Sequence, residues 1–421
     1  MLLLMAAATG RIAMAVWAAI WNIKGDYYAS MPGAYVRTVN PALWTSPDMA
    51  GAWGYLKETY FHGPVQYLTL YWVAFFDSYA QIAAVLLPLY IVLIAGASWI
   101  LLQALRSLTT RAIAVPLVAS TFLFFPLLQA FIQREFEVIV FFTLALMLWL
   151  LLRDRRSAAA VSMAYVAWYK YAALVFVGYI GLRRWWGALG AFAAASAVIL
   201  GLAEFVFGLG LFFNNNVPSH ATQVLNVWSN EFRTDAAGHL YGVGFCNGWF
   251  DSETTLANVR HGLCTVSASI RWLPPHLVYL VICGLVAFAY LRTHLTLEQH
   301  PPSVDGERWR RALELSIVIT SYTCFLFNHY YYLIVLVIPM NVLLTRYLDR
   351  DDRTGFGLWL ISYVLISAFL IPTSILTRLT GIDTWAFFIN GAWFMYGELL
   401  MTALLLREYS RLTAVPRTLG T

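Results

Sequence analysis

Several stretches of this chain, 80–105, 186–208 and 273–292 among them, run for the thickness of a bilayer with scarcely a charged residue. A helix rises about 1.5 Å per residue, so about 20 apolar residues cover a hydrocarbon core roughly 30 Å thick. A soluble fold would break such runs with polar residues on its outer faces. Composition agrees: of 421 residues, 60% are hydrophobic and 12% charged, where globular chains carry about 25% charged residues. The chain therefore reads as an all-α polytopic membrane protein, with residues 1–421 forming a single transmembrane domain. Its net charge of +5 is spread over short loops, which gives no basic footprint and no reason to expect a nucleic-acid partner.

Apolar runs bounded by charge predict spans near 3–22, 80–105, 112–131, 136–152, 186–208, 273–292, 312–327, 331–348, 355–374 and 385–406. The chain passes from Met1 into apolar sequence without a basic segment, which reads as a first span rather than a cleaved signal. The stretch 157–182 admits two readings, one tilted span or a hairpin of two short helices that enters and leaves on the same side. With the N-terminus inside and a hairpin here, most arginines fall in cytoplasmic loops, including Arg153, Arg155, Arg156, Arg183, Arg184, Arg308, Arg310 and Arg311. A single span with the N-terminus outside satisfies the charge rule nearly as well. Lys170 favours the hairpin, because an amine in mid-span costs roughly 3 kcal/mol, whereas at a hairpin tip it faces a cavity. The result is about twelve helices, both termini cytoplasmic, and two large extracytoplasmic loops, 23–79 and 209–272. Within the first loop, segments 47–60 and 64–76 hold Trp53, Tyr55, Tyr60, Tyr67, Tyr71 and Trp72 and are too short to span, so they are expected to be helices at the membrane surface.

Of 27 basic residues only Lys24, Lys57 and Lys170 are lysines. Cys283 and Cys324 sit in apolar spans and read as packing residues, while Cys246 and Cys264 share one polar loop and can pair if that loop is extracytoplasmic. No CxxC or HExxH metal spacing and no phosphate-binding glycine loop occurs, so neither metal nor cofactor is expected. The candidates for chemistry are charged groups beside aromatics at membrane boundaries. Asp26, in Lys24-Gly25-Asp26-Tyr27-Tyr28, is placed as a general base where a lipid-borne donor meets an aqueous acceptor; its plainer alternative is a turn residue paired with Lys24. His329, in Asn328-His329-Tyr330-Tyr331-Tyr332, reads as a phosphate ligand or as an interfacial anchor. Lys170, in Trp168-Tyr169-Lys170-Tyr171, demands an anionic partner unless it snorkels. Arg134, in Gln133-Arg134-Glu135-Phe136-Glu137, joins them as a third cation or pairs with its charged neighbours within that turn. Tyr27, His62, Asn328 and Tyr330 are candidates for acceptor or sugar contacts, and Asn214, Asn215, Asn216 and His220 remain open. Glu204, Glu314 and Glu398 have no second acid or histidine at helical spacing and read as buried hydrogen-bonding groups rather than a proton relay.

These pieces together resemble glycosyltransferase family 87. The resemblance rests on a short first span ending in Gly25-Asp26-Tyr27-Tyr28, the Gln133 turn before an apolar helix, Arg153 to Arg156 before a small-residue helix, Tyr169-Lys170, Arg183-Arg184-Trp185-Trp186, and His329-Tyr330-Tyr331 leading through Pro339. It extends roughly over residues 15 to 345, and the chain departs from it at Tyr60-Phe61-His62-Gly63-Pro64, where the family carries Tyr-Pro-Pro, and at Ile132-Gln133, where it carries Gly-Gln. The resemblance implies a GT-C-like fold and transfer of a sugar, mannose before arabinofuranose, from a polyprenyl-phosphate donor to a glycolipid or cell-envelope glycan. It also implies an essential acid at Asp26, with roles for Lys170 and His329. The setting would be a bacterial plasma (inner) membrane, with membrane lipids as partners and the site on the extracytoplasmic side. A translocator of lipid-linked sugar or polyprenyl phosphate is the rival reading, although it calls for polar groups through the midplane rather than at one rim.

Overall fold

Inside lipid a backbone satisfies its N–H and C=O groups within a helix or a closed barrel, and the long apolar runs of this chain take the helical route. The computed structural model describes residues 2–21, 63–72, 76, 79–133, 135–169, 174–207, 230–234, 240–244, 246, 248–249, 258–270, 273–326, 330–367, 373–384, 387–388 and 391–413. In chain order these form α1 (Leu2–Trp21), α2 (Pro64–Leu70), α3 (Tyr79–Arg106), α4 (Ala114–Phe122), α5 (Phe125–Gln133), α6 (Glu137–Leu152), α7 (Arg156–Tyr169), α8 (Val175–Leu182) and α9 (Trp186–Phe207). Strands β1 (Asn230–Thr234), β2 (Leu240–Gly244) and β3 (Gly248–Trp249) follow, then α10 (Val259–Ser269), α11 (Pro275–Gln299) and α12 (Val304–Leu326). A 3-10 turn (Tyr330–Leu336) leads into α13 (Val337–Arg350), α14 (Arg353–Ser367), α15 (Thr373–Thr380) and α16 (Trp393–Ser410).

Among the described residues four helical segments are long and apolar enough to cross a membrane: Gln81–Arg106, Trp186–Val206, Pro275–Gln299 and Tyr332–Arg350. A fifth crossing results if α4 and α5 are one bent span. The protein is thus a helical membrane protein. The expected continuous span at 112–131 is interrupted at Leu123 and Phe124. Pro126, in the first turn of α5, has no N–H with which to continue the ladder of α4, and the Phe125 N–H donates to Ser367 Oγ at 3.0 Å.

The chain divides into two compact units, the first Met1–Leu101 with Pro126–Val224, the second Leu102–Phe125 with Leu225–Thr421. In the first, α6 is the core: Val138, Phe141, Leu144, Leu148 and Leu151 are fully enclosed. Buried Ala159, Ala160, Ala164 and Ala167 let α7 lie close to α6 and α9. α9 turns Val198, Leu202 and Phe205 outward, as a lipid-facing helix does. The guanidinium carbons of Arg156, which opens α7, and Arg183, which follows α8, lie 5.1 and 5.0 Å from the centre of the same Trp185 ring. The two ends of segment 157–182 therefore meet at one ring, which favours the hairpin reading over a single span. The helix expected over 64–76 is the shorter α2, and it is packed against α7 and α9 with Val65, Gln66 and Leu70 buried. Segment 47–60 lies outside the described residues.

In the second unit α13 is the central pillar, enclosed from Val337 to Tyr347. Its neighbours are joined to it by hydrogen bonds as well as packing: Asn341 donates to Thr121 Oγ1 at 2.9 Å, Trp359 Nε1–H to the Met340 carbonyl at 2.9 Å, and the Tyr363 hydroxyl to the Ser120 carbonyl at 2.6 Å. Gly397 lets α16 approach α14, since a Cβ there would sit 2.8 Å from Ile366 and 2.9 Å from Leu365. The loop 209–272 adds what an all-α reading did not foresee, a small antiparallel sheet of order β1-β2-β3, with Asn230 opposite Gly244 and Tyr241 opposite Trp249. Cys246, between β2 and β3, is disulfide-bonded to Cys264 of α10; Cys283 and Cys324 are free thiols.

Candidate functional site

Asp26, Tyr27, His62, Arg134, Lys170, Asn328 and His329 lie outside the described residues, as do Asn214, Asn215, Asn216 and His220. Tyr330 opens the 3-10 turn before α13. The structure does describe the chain that flanks several of these residues.

In the first unit, three such flanks meet. Gly63, which follows His62, donates its N–H to the carbonyl of Tyr169 at 2.8 Å. The approach is so close that a Cβ on Gly63 would lie 2.0 Å from the Trp168 carbonyl oxygen, so only glycine fits. Tyr169, which precedes Lys170, donates its hydroxyl to Glu137, and its ring lies 4.6 Å from that of Phe136. Phe136 and Glu137 begin α6 just beyond Arg134. One turn back along α7 the hydroxyls of Tyr165 and Thr69 are 2.8 Å apart, fastening α2 alongside. Glu135, Glu137 and Gln66 are all buried here. The sequence offers Glu135 and Glu137 only as neighbours with which Arg134 can pair inside its own turn. A carboxylate that opens a long apolar helix is the signal that it faces protein rather than water.

In the second unit the sequence before Asn328 and His329 is held from the side. The Tyr279 hydroxyl, on α11, donates to the carbonyl of Phe325 in the last turn of α12, where carbonyls lack helical partners. Arg260 on α10 lies near Tyr279, and its burial holds its pKa below the ordinary arginine value. Beside it His261 is enclosed: burial first, then the Arg260 charge, push its pKa down to about 4, so the ring is neutral. Asn258 caps α10 by accepting the His261 N–H at 2.7 Å, and the disulfide fixes the next turn of the helix. Gly262 permits close contact with α16, since a Cβ would sit 2.5 Å from Met395 Cβ.

The three isolated acids separate clearly. Glu204 is exposed near the end of α9. Glu314 is buried and receives Arg310 Nε at 3.0 Å and the Tyr409 hydroxyl at 2.6 Å, with His294 Nδ1 at 3.3 Å. Glu398 is buried on α16 with its carboxylate against the Val259 N–H of α10. Glu314 is thus a buried hydrogen-bonded structural group, as expected, whereas Glu204 is not buried. Among the described residues no cluster of three or more His, Cys, Asp or Glu side chains is arranged to hold a metal ion.

Fold and flanks together define a polytopic helical membrane protein with buried polar side chains beside its candidate residues. No protein family, characterised protein or solved structure matches the chain.

Proposed function

We propose that the protein is a GT-C-like membrane glycosyltransferase that moves a sugar, mannose before arabinofuranose, from a polyprenyl-phosphate donor to a glycolipid or cell-envelope glycan. The observation that supports this most is the junction in the first unit, where Gly63, Tyr169 and the start of α6 are tied together, because their chain neighbours are His62, Lys170 and Arg134. In the reaction the acceptor oxygen forms a bond to the anomeric carbon as the bond from that carbon to the phosphate oxygen breaks. The electron pair leaves with polyprenyl phosphate, and the acceptor proton passes to Asp26. Lys170, Arg134 and His329 are assigned to the phosphate, whose charge rises as it departs. A single displacement inverts the anomeric centre and needs one carboxylate, unlike the two of a retaining route. Tyr27, His62, Asn328 and Tyr330 are assigned to sugar and acceptor hydroxyls. The complete fold of about twelve spans, the bacterial plasma membrane and the extracytoplasmic placement of the site belong to this reading.

The test uses the full-length protein reconstituted with labelled polyprenyl-phosphate mannose and an extracted glycolipid acceptor. Asp26→Asn is expected to abolish transfer while donor binding persists, and Lys170→Ala to weaken donor binding. Undiminished transfer by Asp26→Asn overturns the assignment.

A further inference from the structure

One group of charges in the first unit has no part in the transfer just described. Two turns, after α6 and after α8, carry Arg153, Arg155, Arg156, Arg183 and Arg184 against a single carboxylate, Asp154, which meets Arg156 Nε at 2.9 Å. The hairpin brings these turns together. Arg156 and Arg183 both stand over the Trp185 ring, at 5.1 and 5.0 Å, so their guanidinium carbons can be no farther apart than those two distances combined. Arg153 stands over Trp149 at 4.1 Å. Trp185 is itself buried and set edge-on against Tyr179 at 5.5 Å.

In the same two turns Arg153, Arg155 and Arg184 are exposed, and so is Trp186, the first residue of a candidate span. Leu182, which ends α8, and Val161, on α7, are exposed as well. A positive rim immediately next to exposed apolar side chains is the profile of a membrane–water boundary. Cation–π stacking engages the face of a guanidinium, while its five N–H bonds lie in the plane and match the oxygens of a phosphate. Setting the orientation of a membrane protein requires only that arginines be near the span ends. It does not require two distant turns to converge on one buried ring.

We propose that the arginine–tryptophan cluster of turns 153–156 and 183–186 is a binding site for the phosphate headgroup of an anionic phospholipid. Guanidiniums stacked on Trp149 and Trp185 hold the phosphate, and Trp186 and Leu182 lie against the acyl chains.

The test measures phosphatidylglycerol adducts on the full-length protein by native mass spectrometry, alongside its melting temperature in detergent. The additives are phosphatidylglycerol, phosphatidylcholine, or inorganic phosphate at matched ionic strength. Phosphatidylglycerol alone is expected to leave adducts and raise the melting temperature. The double variant Arg156→Gln, Arg183→Gln should lose about tenfold in lipid affinity, a typical loss for removing charge-assisted phosphate contacts. The charge-matched pair Arg106→Gln, Arg353→Gln, from the second unit, should lose little. Trp185→Leu keeps every charge and should also lose the adduct; if it does not fold, the two arginine pairs decide. Equal loss in both pairs reduces the effect to bulk charge and overturns the site. Full retention by Arg156→Gln, Arg183→Gln overturns it too. If inorganic phosphate stabilises the protein as well as the lipid does, the lipid assignment falls.

Discussion

Gly63 carries more structural demand than its place in a loop suggests. Its N–H bonds to Tyr169 and its missing side chain makes room for the Trp168 carbonyl, so Gly63→Ala must push α2 and the end of α7 apart. Such overpacking costs about 3 kcal/mol, which a lowered melting temperature reports; an unchanged one would mean the approach is not needed. His261 makes a different demand, through pH. Unfolded imidazole takes up a proton below about pH 6.5, whereas the folded ring resists protonation until about 4. Between those values the unfolded state binds more protons, so stability is complete above pH 6.5 and declines as pH falls toward 4, by an amount of order 3 kcal/mol. His261→Gln should flatten that part of the melting-temperature profile, and parallel profiles would reject the account. At this scale the sequence was partly legible. Glu314 reads correctly as a buried hydrogen-bonding group, whereas Glu204, a lone acid in an equally apolar run, is exposed because its helix turns that face outward. The pairing of Glu137 with Tyr169 was not legible, since a contact between separate helices leaves no periodic mark in either. Asp26, Lys170 and His329 lie outside the described residues, and their roles rest on the resemblance and on the flanking chain.

Helix ends explain most differences between the expected and observed elements. The span expected at 312–327 begins at Val304 instead, because Glu307, Arg310 and Arg311 look like loop residues until their ion pairs are seen. Arg311 meets Glu307 at 3.2 Å and Arg310 meets Glu298 at 2.6 Å. Where helices end after a long apolar run, at Leu152 and Leu182, agreement is close, because burial stops where charge starts. Both ends share one construction. Arg155 bonds back to Leu150 and Trp185 to Ile180, around left-handed Asp154 (φ 60°) and Arg184 (φ 52°). That conformation costs an L-residue with a side chain about 1 kcal/mol, which glycine avoids. Arg184→Gly is therefore expected to stabilise the fold by about 0.5–1 kcal/mol while weakening phosphatidylglycerol binding. Parallel melting and lipid-adduct measurements would separate the two effects, and a fall in both would show that the side chain matters to the fold itself. At the other kind of end, Asn258→Ala removes the cap of α10 and should cost about 1 kcal/mol.

At the scale of the molecule, the second unit is held by two unlike devices. In its loop the Cys246–Cys264 bond ties the small sheet to α10. Where α11, α12, α13 and α16 carry their charged residues, the device is an ion network. Glu314 gathers Arg310, His294 and Tyr409, and Glu408 gathers Arg350 at 3.4 Å and Arg411 at 2.6 Å, the latter also reaching Asp352 at 2.8 Å. The Arg411 guanidinium and the Gly355 N–H hold the Asp352 carboxyl below its ordinary pKa. Buried ion pairs add little over apolar residues of the same size, yet losing one partner strands the other. Glu314→Leu should thus cost about 3–5 kcal/mol, because Arg310 stays enclosed without its main carboxylate. Arg310→Met with Glu314→Leu should recover a large part of that loss, since neither charge is then left buried, and Glu298 at the margin can turn to water. Melting temperatures of Arg310→Met, Glu314→Leu and the double variant in one detergent give the coupling directly. If the double variant loses the sum of the single losses, the charges act separately, and the network would be a set of neighbours rather than one unit.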